Sequence, residues 1–155
     1  AQKDITPITP KAVLIKKYQD PASIADRGNI NIHILRYADV LLIAAEAEAR
    51  ANGATAKAYG YVNQVRQRAG LPALTPGLSK DAFLAVVLQE RSWEFFAEGD
   101  RWYDLTRTNT FLQVIPKATN DVFPVRNPQP RHRYFPIPLD EVLANPQLEQ
   151  NPDWK

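Results

Sequence analysis

The sequence predicts an all-α protein, and two features of the chain indicate this class. Between residues 34 and 107, apolar side chains recur at steps of three and four positions, which is the spacing of one face of an α-helix. From Thr108 onward the chain contains eight of its thirteen prolines, which favour loops over helices. We therefore expect a helical hairpin plus additional helices, followed by Pro-rich irregular loops.

The first elements are predicted to be an extended lead-in and two helices. Residues 1–33 contain prolines around the run V-L-I-K-K-Y, which indicates one short strand or packed segment that docks on the core. Helices are predicted at residues 34–51 and 55–69, ended by Gly53 and Gly70. Their apolar faces are Ile34, Ala38, Leu41, Ala45 and Ala49 on the first, and Ala58, Val62, Val65 and Ala69 on the second. Because the connection is short, the pair is predicted to be an antiparallel αα-hairpin of the tetratricopeptide-like kind.

Three further helices follow in this prediction. The third begins after Ser79, a suitable N-cap, and continues to Gly99. Asp100 is predicted to cap a short fourth helix that ends near Arg107. Near the carboxyl end, an extended F-P-I-P segment precedes one helical turn at about residues 139–144.

Composition limits the function and the organisation of the chain. The 155 residues are 45% hydrophobic, which suits a single domain over residues 1–155. Lys and Arg total 19 against 17 Asp and Glu, and their scatter argues against a nucleic-acid partner. No apolar run is long enough to cross a bilayer, and with no cysteine there is neither a disulfide nor a thiolate metal site. Since the chain starts at Ala and contains no Met, we expect it to be part of a longer protein.

Three glutamates stand on one face of the predicted third helix. Glu90, Glu94 and Glu98 are four residues apart, so their charges repel unless cations approach, and Arg91, Arg101 and Arg107 are the nearest in sequence. We interpret the acids as a buried ion network in which Glu94 or Glu98 pairs with an arginine. The alternative is a glycosidase pair, because catalytic carboxyls lie about 5–10 Å apart. The glycosidase hypothesis is supported only by this spacing, and it ranks last among the functional hypotheses.

Other kinds of site lack their sequence patterns. His33 and His132 are far apart and outside any metal-binding motif, and no calcium loop is present, so we expect no metal. Ser23, Ser79 and Ser92 lack the G-x-S-x-G elbow of a serine nucleophile. The glycines form no phosphate-binding loop. We therefore expect no catalytic residue and no cofactor.

Aromatic side chains are the candidates for stacking on sugar rings. The aromatics of the third and fourth helices are predicted to be mainly core residues, and they are Trp93, Phe95, Phe96, Trp102 and Tyr103. Those outside the helical pattern are predicted to be exposed and available, and they are Phe123, Tyr134 and Trp154. The basic run from Arg131 through His132 to Arg133 suits an anionic glycan or a lipid headgroup, although a patch this small is usually solvated surface.

Five blocks in a fixed order give the chain a resemblance to a known family. They are R-Y-A-D-V-L-L-I-A-A-E-A from residue 36, V-N-Q-V-R-Q-R-A-G from residue 62, E-R-S-W-E-F-F-A-E-G-D-R-W-Y-D-L-T-R from residue 90, F-P-I-P from residue 135 and N-P-Q-L-E-Q-N-P from residue 145. Together they resemble the carboxy-terminal part of SusD/RagB-type proteins. The resemblance implies an all-helical scaffold with tetratricopeptide-like repeats in a surface-exposed outer-membrane lipoprotein. It also implies a non-catalytic protein that binds nutrients, usually oligosaccharides such as starch-type glycans and in some members peptides, and delivers them to a SusC-like, TonB-dependent transporter.

The chain departs from the family's pattern in its length. Members are several times longer, and this sequence shows neither the lipid-bearing cysteine nor the amino-terminal repeats. Glycan-contacting aromatics of the family lie on variable loops outside these blocks, so no ligand-binding residue is carried over. The residues that match are interpreted as scaffold, and they are Arg36, Tyr37, Asp39, Glu46, Arg66, Glu90, Arg91, Glu94, Glu98, Gly99, Arg101, Trp102, Asp104 and Arg107. A second hypothesis, from the hairpin alone, is a helical-repeat module that binds a protein or peptide.

Overall fold

The computed structural model describes residues 15–22, 28–118 and 126–155, and within these ranges every regular element is helical. The α-helices are α1 (Tyr37–Asn52), α2 (Ala56–Arg68), α3 (Lys80–Glu94), α4 (Arg101–Arg107), α5 (Phe111–Val114) and α6 (Leu139–Ala144). Short 3-10 helices occur at Ile115–Lys117, Pro130–Arg133 and Pro152–Trp154. The predicted all-α class is confirmed. Most of the predicted lead-in, together with Ser23 and Phe123, lies outside the described residues.

The predicted hairpin is present in the first of two compact units, Ala1–Gly99 and Asp100–Lys155. Gly53 ends α1 with a φ of 85°, a conformation that favours glycine because it has no Cβ. The hydroxyl of Thr55 then accepts a hydrogen bond from the amide of Ala58 at 3.2 Å and caps α2. With so short a connection the two helices lie antiparallel.

The core of the first unit lies where α1, α2 and α3 meet. Leu42, Val62, Phe83 and Val87 are fully buried there, and the ring of Phe83 contacts that of Tyr59 edge to face with centroids 4.7 Å apart. Small residues of α1 and α2 at the predicted positions, such as Ala45, Ala49 and Ala58, are also fully buried and allow the helices to approach closely. The predicted apolar faces are confirmed except at Ile34 and Ala69. Both are exposed, and both lie outside the helices as the structure bounds them.

The third helix ends earlier than the sequence predicts. It stops at Glu94, and the following turn contains Ala97 and Gly99 with φ of 65° and 96°, so the backbone leaves the helical path five residues before Gly99. The aromatic side chains are therefore not on one continuous helix. Phe95 is buried, but Trp93, Phe96 and Tyr103 are 61%, 58% and 71% exposed. The expectation that these aromatics are mainly core residues is wrong for those three.

The second unit holds its irregular chain by side-chain hydrogen bonds. Gln150 makes two bonds of 2.8 Å with the backbone of Ile137, as acceptor from its N–H and as donor to its carbonyl. Asn151 donates to the carbonyl of Phe135 at 2.7 Å, and the Trp154 indole donates to that of Tyr134 at 3.0 Å. The last two sequence blocks thus bind each other.

Helix α5 was not predicted from the sequence, and its Phe111 is fully buried against Trp102.

Candidate functional site

The densest group of charges in the first unit surrounds the end of α3. The Arg36 guanidinium binds Glu98 through two nitrogens, with Nε–Oε2 and Nη2–Oε1 distances of 2.8 and 2.7 Å. Its Nη1 binds Glu94 at 2.7 Å. Lys17 contacts Glu98 and Arg68 contacts Glu94. We call these five residues the ion cluster.

The ion cluster joins segments that are distant in sequence. Arg36 is the residue before α1 and adopts an extended conformation there, while Glu94 is the last residue of α3 and Glu98 lies in the turn after it. The prediction that Glu94 or Glu98 pairs with an arginine is confirmed, since both pair with Arg36. The cations are not those nearest in sequence.

The buried charges of α3 are paired separately from the ion cluster. Glu90 is buried and binds Arg66 at 2.7 Å. Arg91, also buried, binds Asp39 at 2.5 Å. The guanidiniums of Arg36 and Arg91 lie 4.9 and 5.0 Å from the ring centroid of Phe95, a geometry in which the ring quadrupole attracts both cations. The three predicted glutamates therefore all serve as partners of cations.

These contacts hold Arg36 and Glu98 in their charged forms. The hydrogen bond to Glu98 raises the pKa of Arg36 above its ordinary value, against an opposing effect of burial. Burial by itself raises the pKa of Glu98, but the hydrogen bonds from Arg36 and Lys17 together outweigh it and leave that pKa below its ordinary value. A carboxylate held ionised in this way is a poor proton donor at neutral pH. Glu98 is therefore poorly suited to be the acid of a glycosidase pair.

Because of the ion cluster, we expect the stability of the protein to fall at acid pH. Because the pKa of Glu98 is lower in the folded than in the unfolded state, its contribution is present above the unfolded-state pKa and is lost as the pH falls through the folded-state pKa. We expect the melting temperature to fall between about pH 5 and pH 3. A Glu98→Gln variant is expected to lose less over the same interval. Equal pH dependence of the two proteins in thermal unfolding would contradict this role.

Two of the other residues singled out in the sequence, Ser79 and His132, make local hydrogen bonds. The Ser79 hydroxyl accepts a hydrogen bond from the amide of Ala82 at 3.3 Å, so Ser79 is an N-cap as predicted. His132 Nδ1 accepts from the amide of Gln129 at 3.0 Å. His33 is exposed and Ser92 is half-buried. Over the described residues, no three His, Asp or Glu side chains are grouped as metal ligands would be.

The two arginines of the basic run near the carboxyl end each lie over an aromatic ring. Arg131 lies over the ring of Trp154 at 4.9 Å, and Arg133 lies over that of Tyr134 at 5.6 Å. Trp154 is half-buried and its indole N–H is bonded to backbone carbonyls, so it is less available than the sequence predicts. Tyr134 is 60% exposed, as predicted.

A groove lies beside the ion cluster, between the start of α1 and the end of α2. Its volume is about 330 Å³. The lining residues are Arg36, Tyr37, Ala38, Leu41, Gln64, Val65 and Arg68. Sequence reasoning placed Arg36 and Tyr37 in the scaffold and missed Gln64 and Arg68, because only the antiparallel packing of α1 on α2 brings these pairs together.

In the described ranges no helix is long and apolar enough to span a bilayer.

Comparison with known proteins identifies the family. A model of the SusD family matches residues 1–154. SusD-like protein P25 of Formosa agariphila is 39% identical over 119 residues, which are 74% of this chain and 22% of that protein. SusD-like protein P38 of the same organism is 34% identical over 145 residues, 88% of this chain and 27% of that protein. The chain thus spans about a quarter of the length of these curated relatives.

Solved structures agree with this result. A SusD-like protein from Bacteroides fragilis superposes with a TM-score of 0.66 at 31% identity, over 79% of this chain and 26% of that one. A SusD superfamily protein from Bacteroides vulgatus gives a TM-score of 0.66 at 35% identity, over 77% and 27%. The chain belongs to the SusD family, and the predicted resemblance is confirmed.

Proposed function

We propose that this member of the SusD family is the carboxy-terminal part of a longer protein that binds oligosaccharides at the cell surface. In this proposal the whole protein is a lipoprotein of the outer membrane. It passes its ligand to a SusC-like, TonB-dependent transporter without chemical change. Both compact units belong to one functional domain in this assignment.

The family match over residues 1–154 carries the proposal. SusD-like proteins are generally surface lipoproteins of the outer membrane that bind glycans and associate with SusC-like transporters. They are known as binding proteins rather than enzymes. The pairing of Glu90, Glu94 and Glu98 with Arg66 and Arg36 is consistent with a non-catalytic role.

A panel of neutral and acidic oligosaccharides, including starch-type glucans, tests the proposal. We expect isothermal titration calorimetry on the whole protein, rather than on this chain alone, to show binding of at least one glycan, with no release of shorter products. Failure of every glycan to bind would contradict the proposal. Hydrolysis that disappears in a Glu90→Gln or Glu94→Gln variant would instead support the glycosidase alternative.

A second candidate function is a helical-repeat module that binds a protein or peptide. The observation in its favour is the exposed side of α1, where Tyr37, Val40 and Ile43 are 70%, 47% and 51% exposed at three-residue steps. Retention of a peptide library on the immobilised chain, with no retention of glycans, would favour this module. Co-purification with a transporter barrel from outer membranes would favour the surface-binding function.

A further inference from the structure

We propose that the groove between α1 and α2 is a subsite for a sugar unit that carries a negative charge, such as a uronate. The inference rests on the proposed function, because it names the class of glycan that the chain binds and the residues that contact it.

The size of the groove suits a small part of a glycan. Its volume of about 330 Å³ is at the lower end of the range for small-molecule sites, about 300–1,000 Å³. Such a space accommodates a short saccharide rather than a folded partner. Leu41 and Val65 belong to its lining, and because they are only 7% and 2% exposed they offer the C–H groups of a sugar ring a small apolar surface.

The rim supplies an aromatic ring and hydrogen-bonding groups. Tyr37 is 70% exposed, so its flat ring is accessible for stacking against the apolar face of a sugar. Gln64, which is exposed on α2, provides an amide that both donates to and accepts from sugar hydroxyls. An apolar floor with a few convergent polar groups is the usual composition of a ligand site.

The charge of the adjoining ion cluster favours an anionic ligand. The cluster contains three cations, Lys17, Arg36 and Arg68, and two carboxylates, so it carries one excess positive charge. Of the two arginines that line the groove, Arg68 is the more exposed, with 58% of its side chain accessible against 22% for Arg36. A guanidinium has five N–H donors, more than the contact with Glu94 uses. The Arg68 guanidinium can therefore donate planar, charge-assisted hydrogen bonds to a sugar carboxylate. A neutral sugar has no charge that the excess positive charge of the cluster would attract.

The test compares two ligands and matched variants by calorimetry at low salt. The ligands are a uronate disaccharide and the neutral disaccharide in which each carboxylate is reduced to an alcohol. We expect the uronate to bind about tenfold more tightly. Arg68→Gln is expected to abolish that preference, and Tyr37→Ala to weaken both ligands about tenfold.

Two control variants match the size and charge of these changes. Lys57→Gln removes one exposed positive charge from the other end of α2, and Tyr103→Ala removes an exposed ring from the second unit. Both are expected to leave binding unchanged, and circular dichroism checks that every variant is folded.

The outcomes separate this inference from the proposed function. Equal affinity for the charged and neutral disaccharides, or unchanged binding by Arg68→Gln and Tyr37→Ala, overturns the subsite while glycan binding stands. Failure of the whole glycan panel overturns both.

Discussion

Replacement of Phe83 by alanine is expected to lower the free energy of unfolding by about 4 kcal/mol. Phe83 is fully buried where α1, α2 and α3 meet, and its ring contacts that of Tyr59 edge to face. Removing the ring loses its transfer free energy and leaves a cavity, because the surrounding helices relax only partly. The loss approaches the lower end of the whole stability of a small domain, which is about 5–15 kcal/mol.

Denaturant unfolding followed by far-ultraviolet circular dichroism measures this change. Phe83→Leu is the graded control, since it keeps most of the apolar volume and is expected to cost about half as much or less. Trp93→Ala is the surface control, because Trp93 lies on the same helix but is 61% exposed. An equal loss of stability in Phe83→Ala and Trp93→Ala would show that Phe83 does not lie in the core as described.

The hairpin was predictable because its signals are local. The alanines at three- and four-residue steps and the Gly53 terminator act within a few residues of one another, and each has the predicted role. The sequence predicts Thr55 only as the first residue of the second helix, and in the structure it is the N-cap of α2. The Ser79 cap was predictable for the same reason. These features need no knowledge of tertiary contacts.

The end of α3 was not predictable from the same kind of signal. Helical spacing continues through the aromatics to Glu98, but the backbone leaves the helix after Glu94 and places Ala97 at a positive φ. Contacts from distant parts of the chain accompany this turn, since Lys17 donates to the carbonyls of Glu94 and Phe96. Carbonyls at a helix end need such partners, and the sequence does not show which residue supplies them.

The partners of the glutamates illustrate the same limit. The i, i+4 spacing correctly indicated that the acids need cations. The expectation that the partners are the arginines nearest in sequence was wrong. The packing of the first helix on the third brings Arg36 to Glu94 and Glu98 from about sixty residues away. The groove depends on the same antiparallel packing, so no local motif identifies Gln64 and Arg68 as its lining.

The ion cluster also explains why the first and third sequence blocks occur together. Arg36 opens the first block, and Glu94 and Glu98 lie in the third, so their bonds tie the start of α1 to the end of α3. Arg91 and Asp39 make a second tie between the same helices. A substitution that removes one of these ion pairs is therefore expected to shift α1 relative to α3. Because α1 forms one wall of the groove, that wall would shift as well.

Replacement of Glu98 by alanine is expected to lower the free energy of unfolding by about 3 kcal/mol. The Glu98 side chain is 5% exposed and accepts a two-point contact from Arg36 and a further contact from Lys17. Its removal leaves the Arg36 charge partly buried with fewer partners, and the desolvation cost of that charge remains. Because 22% of the Arg36 side chain is accessible to water, the expected loss is at the lower end of the range for buried pairs.

Two controls make the Glu98 measurement specific. Glu149→Ala also breaks a carboxylate–lysine pair, but both members are largely exposed, so we expect no measurable change in the melting temperature. An Arg36→Leu, Glu98→Ala double variant is expected to lose less than the sum of the two single variants, since removing both partners leaves no unpaired charge between them. Strict additivity would mean that the two side chains act independently, whereas strong non-additivity establishes their bond as the link between α1 and the end of α3.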